Sequence, residues 1–397
     1  MPRSYPRAVS DVLRQAGCNR FRAERAVISA SEVVWAVVDE GWNPHVEACA
    51  YLASLRAMDR SPNTERVYAG RVALFLNYCQ RFGVDWREPS FGELHQFLRW
   101  LAAEPMARPG KRTGSGRIRS KGTANAIVTT TAEFLRFGAK HGWVAAGVPG
   151  LLSQPKFLRY LPPGYDAGED DRFRTVQERT IKFRVGRADP EVFSVEQTDA
   201  VLEATEHARD RFLVTLLLET GVRIGEALGC WREDLHFLAR SESLGCRLAG
   251  PHLHVQRRMN ANGALAKSRY PRSIPVTALT VDAYADYQYE RARLDPDAAD
   301  DAVFVNLFRE PRGRAMSYPN TKELFDRLGR ACGFPVRPHM FRHTAATRWL
   351  EAGVAPDVVQ ALLGHVSFAS TAIYLHASRE RMREAVERTA ARAGSAS

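Results

Sequence analysis

Arg337-Pro338-His339-Met340-Phe341-Arg342-His343 opens a run that continues through Trp349 and Leu350 and halts at Gly353. Pro338 suits a helix's first turn, where no amide hydrogen is needed, and Gly353 suits the residue just past its end. The stretch therefore predicts a helix on which His339 and Arg342, three residues apart, share a face. A phosphodiester reaction uses such a pair: guanidinium presents a fixed fork of donors to phosphate oxygens, and imidazole exchanges a proton near neutral pH. His339 and His343 are also four apart, the spacing by which a helix supplies two zinc ligands. Against zinc, the metalloprotease form needs Glu beside the first His, and this chain has Met340 there. No cysteine cluster or third ligand is adjacent in sequence, and Arg342 would set a positive charge beside the ion. The expectation is no metal and no cofactor.

Upstream lies Thr220-Gly221-Val222-Arg223-Ile224-Gly225-Glu226-Ala227-Leu228. Arg223 follows a glycine turn and precedes a new helix, where main-chain amides and the helix dipole favour an anion. Glu226, one turn on, can orient the guanidinium by a charge-assisted hydrogen bond. Downstream, Leu363-Gly364-His365 is followed nine residues later by Tyr374, within Ser370-Thr371-Ala372-Ile373-Tyr374-Leu375-His376. Taken singly these pieces are weak, because Arg-x-x-Glu is usually a surface ion pair and a Tyr beside Ile is usually a half-buried packing residue.

Their order changes the reading. Arg223 with Glu226, then His339-x-x-Arg342-His343, then Leu-Gly-His365, then Tyr374, resembles the tyrosine recombinases of the phage integrase family over residues 191 to 380, and more loosely over 44 to 148, where Thr64, Tyr68 and Phe75 resemble the family's helical core-binding domain. The resemblance implies a catalytic set of Arg223, Lys267, His339, Arg342, His365 and Tyr374: the arginines clamp the phosphate, His339 transfers a proton, His365 donates a hydrogen bond to the phosphate, and Tyr374 is the nucleophile. Glu226 and His343 support them. Lys267 lies in Ala266-Lys267-Ser268-Arg269-Tyr270-Pro271-Arg272-Ser273-Ile274-Pro275, the strand-to-strand turn where the family carries a lysine; beyond residue 190 the one other lysine is Lys322, on a predicted helix. Phe341 stands where the family usually has Leu, a change of packing. The reaction implied is cleavage and rejoining of DNA strands through a 3′-phosphotyrosine bond, without metal or ATP, by a tetramer on two synapsed duplex sites, with accessory proteins as further partners.

Outward from this core, the fold class expected is mainly α with a small β-sheet: a helical core-binding domain joined to a mixed α+β catalytic domain. Residues 1–43 form an amino-terminal extension whose apolar pattern, Val27, Ile28, Val33, Val34 and Val37, reads as one helix. Residues 44–148 read as helical throughout, with a start at Ser61-Pro62 ahead of Val67, Leu74, Phe75, Tyr78 and Phe82, a second face at Leu94, Phe97, Leu98 and Leu101, and a third at Ile127, Phe134, Leu135 and Phe137. Between the last two lie Arg108, Lys111, Arg112, Arg117, Arg119 and Lys121, with no acid among them. Six uncompensated cations on one loop repel each other unless a polyanion lies against them, so they are read as contacts to the DNA backbone.

Residues 149–190, with Pro162-Pro163-Gly164 and an acidic patch, read as a linker. The catalytic domain, 191–397, opens at the capping box Ser194-x-x-Gln197. A buried helix over Phe212–Leu218 closes at Gly221. Short strands follow near 252–257 and 272–276, then a helix near 281–293, a brief strand over 303–307, and further helices. The tail carries Met382, Ala385, Val386 and Thr389 on one helical face, suited to docking on a neighbouring subunit.

A net charge of +11 favours a polyanionic partner. The six cysteines, Cys18, Cys49, Cys79, Cys230, Cys246 and Cys332, are scattered without paired spacing, so they read as reduced packing residues. No apolar run approaches the roughly 20 residues that span a bilayer, and Met1-Pro2-Arg3 begins no signal peptide, so a cytoplasmic, nucleoid-associated bacterial protein is expected. Two rivals stay open. A type IB topoisomerase shares the nucleophile and clamp, though the helical amino-terminal domain and Leu-Gly-His365 favour a recombinase. A catalytically silent DNA-binding accessory protein would be expected to lack part of the set, and all six positions are filled. The extension, basic loop and linker resemble recombinases of transposons and other mobile elements.

Overall fold

Valine-rich sequence opens the described chain as a β-hairpin, β1 (Arg22–Ser29) with β2 (Glu32–Val38), paired Arg22 with Val38 through Val27 with Val33. The computed structural model describes residues 21–29, 32–106, 116, 118–161, 173–186, 189–246, 248–266, 270–294 and 300–364. The hairpin corrects the single helix expected here. The apolar residues are β-branched, which stiffens them against helix and suits a pleated surface. Val34, Val37 and Val38 turn inward, while Val27 and Ile28 are exposed.

Helices α1 (Val46–Ala57), α2 (Pro62–Phe82), α3 (Phe91–Ala103), α4 (Lys121–Lys140) and α5 (Val148–Leu152) follow. Ser61, Ser90 and Ser120 cap α2, α3 and α4 by accepting from the backbone amides of Thr64, Glu93 and Thr123, and Gly83 ends α2 in the left-handed region at φ 65°. Their apolar faces meet in one core containing Leu52, Phe75, Phe97, Leu101, Phe134 and Leu135, which Val37 of the hairpin joins. Two polar side chains fasten the hairpin to α2. Asn77 accepts from the Phe21 amide at 2.7 Å and donates to its carbonyl at 2.7 Å. Buried Glu65 accepts from the Trp35 amide at 2.8 Å and from Arg56.

The segment expected as a linker with a short element of its own carries a strand pair. β3 (Ser153–Phe157) pairs antiparallel with β4 (Thr175–Arg179). Beyond β4, Asn125 of α4 holds Phe183 by both its amide, at 2.7 Å, and its carbonyl, at 2.9 Å. By backbone contacts, one unit takes residues up to 160 with 167–187, and a second takes 161–166 with 188 onward.

In the second unit, α6 (Val195–Glu203) starts at a complete capping box of Ser194 and Gln197. α7 (Ala208–Thr220) is buried on nearly every side and closes at Gly221, φ 59°. Short α8 (Ile224–Leu228) leads to a three-stranded sheet of β5 (Leu235–His236), β6 (His252–Val255) and β7 (Arg272–Pro275), in that order and antiparallel. α9 (Ala278–Leu294), α10 (Tyr318–Cys332), α11 (Pro338–Glu351) and α12 (Pro356–Leu363) complete the described residues. The strand expected over 303–307 is reduced to isolated bridges, Val305 with Ala315 and Trp231 with Ala302. The core is built on Phe212, Leu213, Leu216, Tyr287, Phe304 and Phe341, so Phe341 serves as packing. Among the described residues no helix is long and apolar enough to cross a membrane.

Candidate active site

Gly221 makes the first placement. Its left-handed turn ends α7 and lets the chain re-enter a helix three residues later, leaving Arg223 as the N-cap of α8. A Cβ on Gly221 would lie 3.0 Å from Leu363 and 3.3 Å from Ala345, so the turn is pressed against both α12 and α11.

Glu226 is the buried carboxylate on which this turn is built. It accepts from the Arg223 amide at 2.9 Å and from the Arg223 guanidinium at 3.0 Å. Arg272, at the start of β7, reaches it from the other side at 2.8 Å and also donates to the Leu362 carbonyl at 2.9 Å. Burial pushes the Glu226 carboxyl up, but the Arg272 hydrogen bond and charge and the Arg223 amide outweigh it and hold the group below its ordinary value. Glu226 is thus a carboxylate whose side chain is 0% exposed, shared by two arginines, and Arg223 keeps 22% of its side chain accessible. Sequence reading assigned Glu226 to Arg223 alone. Arg272 was missed, because nothing in Arg-Ser-Ile-Pro on a strand singles out the arginine until the fold sets it against Glu226.

Arg342, expected as one arm of the phosphate clamp, also braces the fold. It is 4% exposed, and its two terminal nitrogens donate to the carbonyls of Gly221 and Leu363, each at 2.7 Å. One guanidinium therefore ties the turn before Arg223 to the end of α12. On the same helix His339 is exposed and His343 half-buried, their ring centroids 6.4 Å apart. Burial, with His339 and Arg342 as positive neighbours, lowers the His343 pKa.

Gly364, φ 63°, caps α12 directly before His365, and a Cβ there would stand 2.8 Å from the Arg272 guanidinium. Only a glycine lets Arg272 pass behind the turn to Glu226. A similar close approach at Gly225, where a Cβ would meet the Tyr318 hydroxyl at 2.3 Å and the Leu265 carbonyl at 3.1 Å, seats the β6–β7 connection against α8. Asn262 donates to the carbonyls of Leu228 and Met316, and Ala266, just ahead of Lys267, is buried. Lys267, His365 and Tyr374 themselves lie outside the described residues.

The structure thus gathers Arg223, Glu226, Arg342 and the Leu363-Gly364 turn, with His339 and His343 on the helix that carries Arg342. This arrangement can bind an anion at the α8 N-terminus, with a second guanidinium charge beneath the same turn. Arg108, Lys111, Arg112 and Arg117 are outside the described residues. Arg119 turns inward, its guanidinium 5.9 Å from the Trp100 ring and 3.5 Å from the carbonyls of Leu101 and Glu104, and burial lowers its pKa. Lys121 is exposed, with its ammonium 5.9 Å from the Phe183 ring.

Comparison with known proteins shows what the chain is similar to. Residues 191–381 match the model of the phage integrase family. Transposase A of transposon Tn554 from Staphylococcus aureus is 26% identical over 332 residues, covering 82% of this chain and 85% of that one. Tyrosine recombinase XerD of Chlorobaculum tepidum is 26% identical over 337 residues, covering 81% and 97%. In fold, the chain resembles the Tn1549 transposon integrase solved with a circular intermediate DNA (TM-score 0.59, 16% identity, 86% and 99% covered) and XerH recombinase bound to palindromic difH (TM-score 0.54, 18% identity, 86% and 85% covered).

Proposed function

We propose that this site-specific recombinase, a member of the phage integrase family through residues 191–381, cuts and rejoins duplex DNA by transesterification onto Tyr374. The observation that carries the reading is the double hydrogen bond of Arg342 to Gly221 and Leu363. It sets the Arg223 turn beside the turn that leads into His365, and Tyr374 follows nine residues later.

Arg223, held by Glu226, is the direct phosphate ligand. Arg342 supplies a second positive charge from beneath and keeps the two turns together. A phenol of pKa about 10 costs roughly 4 kcal/mol to ionise at pH 7. Cations around the phosphate lower that cost and stabilise the charge that builds on the five-coordinate phosphorus. His339 accepts the phenolic proton, His365 donates to a phosphate oxygen, and His343 supports His339. The oxygen of Tyr374 bonds to phosphorus as the bond to the DNA 5′ oxygen breaks, and Lys267 gives that oxygen its proton, an acid contribution of typically ~10² to 10⁴ in rate. The product is a 3′-phosphotyrosine ester of energy similar to the original bond. A 5′ hydroxyl from the partner strand reverses the step without ATP or metal in the reaction.

The XerH structure contains palindromic difH substrate and the Tn1549 transposon integrase structure a circular intermediate DNA, which supports duplex recombination sites as the substrate here. We assign a tetramer on two synapsed sites, accessory proteins as further partners, and residence with the bacterial nucleoid on the same reading. Among DNA-directed tasks, movement of a mobile element is supported by the likeness to the Tn554 transposase in sequence and to the Tn1549 transposon integrase in fold.

A duplex nicked beside the cleavage position traps the covalent intermediate, because the short strand diffuses away and cannot religate. The wild-type chain is expected to give a DNA adduct with a blocked 3′ end and a free 5′ hydroxyl, and Tyr374→Phe none. Site-specific binding with no adduct would make the chain an accessory protein, and relaxation of supercoils without site preference would make it a topoisomerase.

A further inference from the structure

On one face of the β5–β6–β7 sheet, three histidines and a cysteine point their ligand atoms at a common centre. His236 of β5 pairs directly with His252 of β6, and His254, two residues along β6, returns to the same face. Cys246 comes from the connection between β5 and β6, just after a 3₁₀ turn at Ser241–Leu244. Taking His236 Nδ1, Cys246 Sγ, His252 Nε2 and His254 Nε2, every atom lies within 4.8 Å of the others. His252 Nε2 and His254 Nε2 are 3.1 Å apart, His254 Nε2 and His236 Nδ1 3.3 Å, Cys246 Sγ and His236 Nδ1 2.8 Å, and Cys246 Sγ and His254 Nε2 3.3 Å.

Hydrogen positions show which ring nitrogens turn their lone pairs to this centre. His252 Nδ1 is 2.8 Å from the Gly250 carbonyl and His236 Nε2 is 3.1 Å from the Glu233 carbonyl. A carbonyl only accepts, so both of these nitrogens carry their hydrogens, and in neutral rings His252 Nε2 and His236 Nδ1 are bare lone pairs. Both face His254 Nε2, which has at most one hydrogen to give, and His254 Nδ1 is itself engaged with Ser273 Oγ at 3.0 Å. The Cys246 thiol, 2.8 Å from His236 Nδ1, has one hydrogen to give, and once that is lost a thiolate and the bare imidazole nitrogens face a single centre. A cation at their centre satisfies all four.

We propose that His236, Cys246, His252 and His254 bind one zinc ion. Three imidazoles and one thiolate are ligand types that zinc takes, and four protein ligands leave no position for water, as in a closed structural site. With Zn–N near 2.0–2.1 Å, the N···N edge of a tetrahedron is about 3.3–3.4 Å, against 3.1 and 3.3 Å here. Each imidazole already has an outer partner, as metal-bound histidines do: the Gly250 and Glu233 carbonyls set the tautomers of His252 and His236, and the Ser273 hydroxyl can accept from His254 Nδ1. The partners are themselves secured. Ser241, fully buried, donates to the Gly250 carbonyl at 2.6 Å, and Arg258 grips Asp234, next to Glu233, at 2.6 and 2.9 Å.

The ion's task is to staple the long β5–β6 connection to the sheet and to fix β6 against β7, where Ser273 adjoins Arg272, the residue that steadies Glu226. It stands outside the strand-transfer chemistry, and the proposal does not depend on the recombinase reading.

The full chain, purified without chelator, equilibrated with zinc and freed of excess, is expected to hold about one zinc per chain by elemental analysis. His339→Ala with His343→Ala is expected to keep it, and Cys246→Ser to lose most of it. Ser273→Ala, a mild change at an outer partner, is expected to weaken zinc affinity by roughly 10- to 100-fold in a chelator competition. If Cys246→Ser does not fold, cobalt(II) exchanged into the wild-type chain gives the readout: intense tetrahedral bands with a thiolate charge-transfer band support the site. Octahedral cobalt without that band, wild-type chain that holds no zinc, or zinc lost with the two helix histidines would each overturn it.

Discussion

Arg342 donates to the Leu363 carbonyl across 2.7 Å, and the same guanidinium donates to Gly221 at 2.7 Å. A lysine ammonium lacks the fork needed to serve two carbonyls in fixed directions. Arg342→Lys is therefore expected to leave one buried carbonyl unpaired, at about 1–3 kcal/mol, and to lower adduct yield on the nicked duplex. Urea unfolding measures the first effect. A midpoint equal to the wild-type value would show that the bridge does not hold the turns together.

Glu226 gives a pH dependence of known sign. Its pKa is lowered in the folded chain from an ordinary value of 4.5, so the unfolded chain binds the proton more readily. The stability it contributes is complete above about pH 4.5 and drains away as pH falls through the depressed value. Glu226→Gln is expected to cost about 3–5 kcal/mol at pH 7, as breaking a buried ion pair does, and to flatten the acid limb of the stability curve below 4.5. A variant whose acid limb stays parallel to the wild type would place the titration elsewhere.

Gly364→Ala tests the passage of Arg272. Alanine at positive φ costs about 1–2 kcal/mol, and its Cβ would stand 2.8 Å from a guanidinium already tied to Glu226 and Leu362. The expected outcome is a lower melting temperature together with loss of cleavage at DNA concentrations that saturate binding. Full cleavage by the variant would mean that the turn tolerates rearrangement.

Arg119 and Lys121 are neighbours in sequence with opposite expected behaviour. Arg119 is engaged with the end of α3, so Arg119→Ala is expected to reduce stability and leave the salt dependence of DNA binding unchanged. Lys121 is exposed, and Lys121→Ala is expected to reduce the slope of log K against log salt by about 0.9, the value for one phosphate contact. Binding titrations across a salt series separate the two, and equal slopes for wild type and Lys121→Ala would remove Lys121 from the interface.

Much of the architecture was legible because its signals are local. Ser194 with Gln197, Ser61 before Pro62, and Gly221 after a continuous apolar run each state a helix boundary within a few residues, and the structure places the boundaries there. The amino-terminal valines read as a helix because five apolar positions in a short span fit either period, while their β-branched chemistry favours the hairpin. Arg119 misled for a different reason. A cation's charge is visible in sequence, but whether it faces solvent or a helix end depends on the loop's path.

By itself the sequence determined the order of Arg223, Glu226, His339, Arg342, His365 and Tyr374, and with it the resemblance to the phage integrase family, because the order and separation of motifs are written in the covalent chain. Only the tertiary structure decided that Glu226 serves two arginines, that Arg342 spends its donors on Gly221 and Leu363, and that Cys246 meets three histidines. Those partners lie on different strands and helices, and no local periodicity encodes a distance between segments brought together by a shared core.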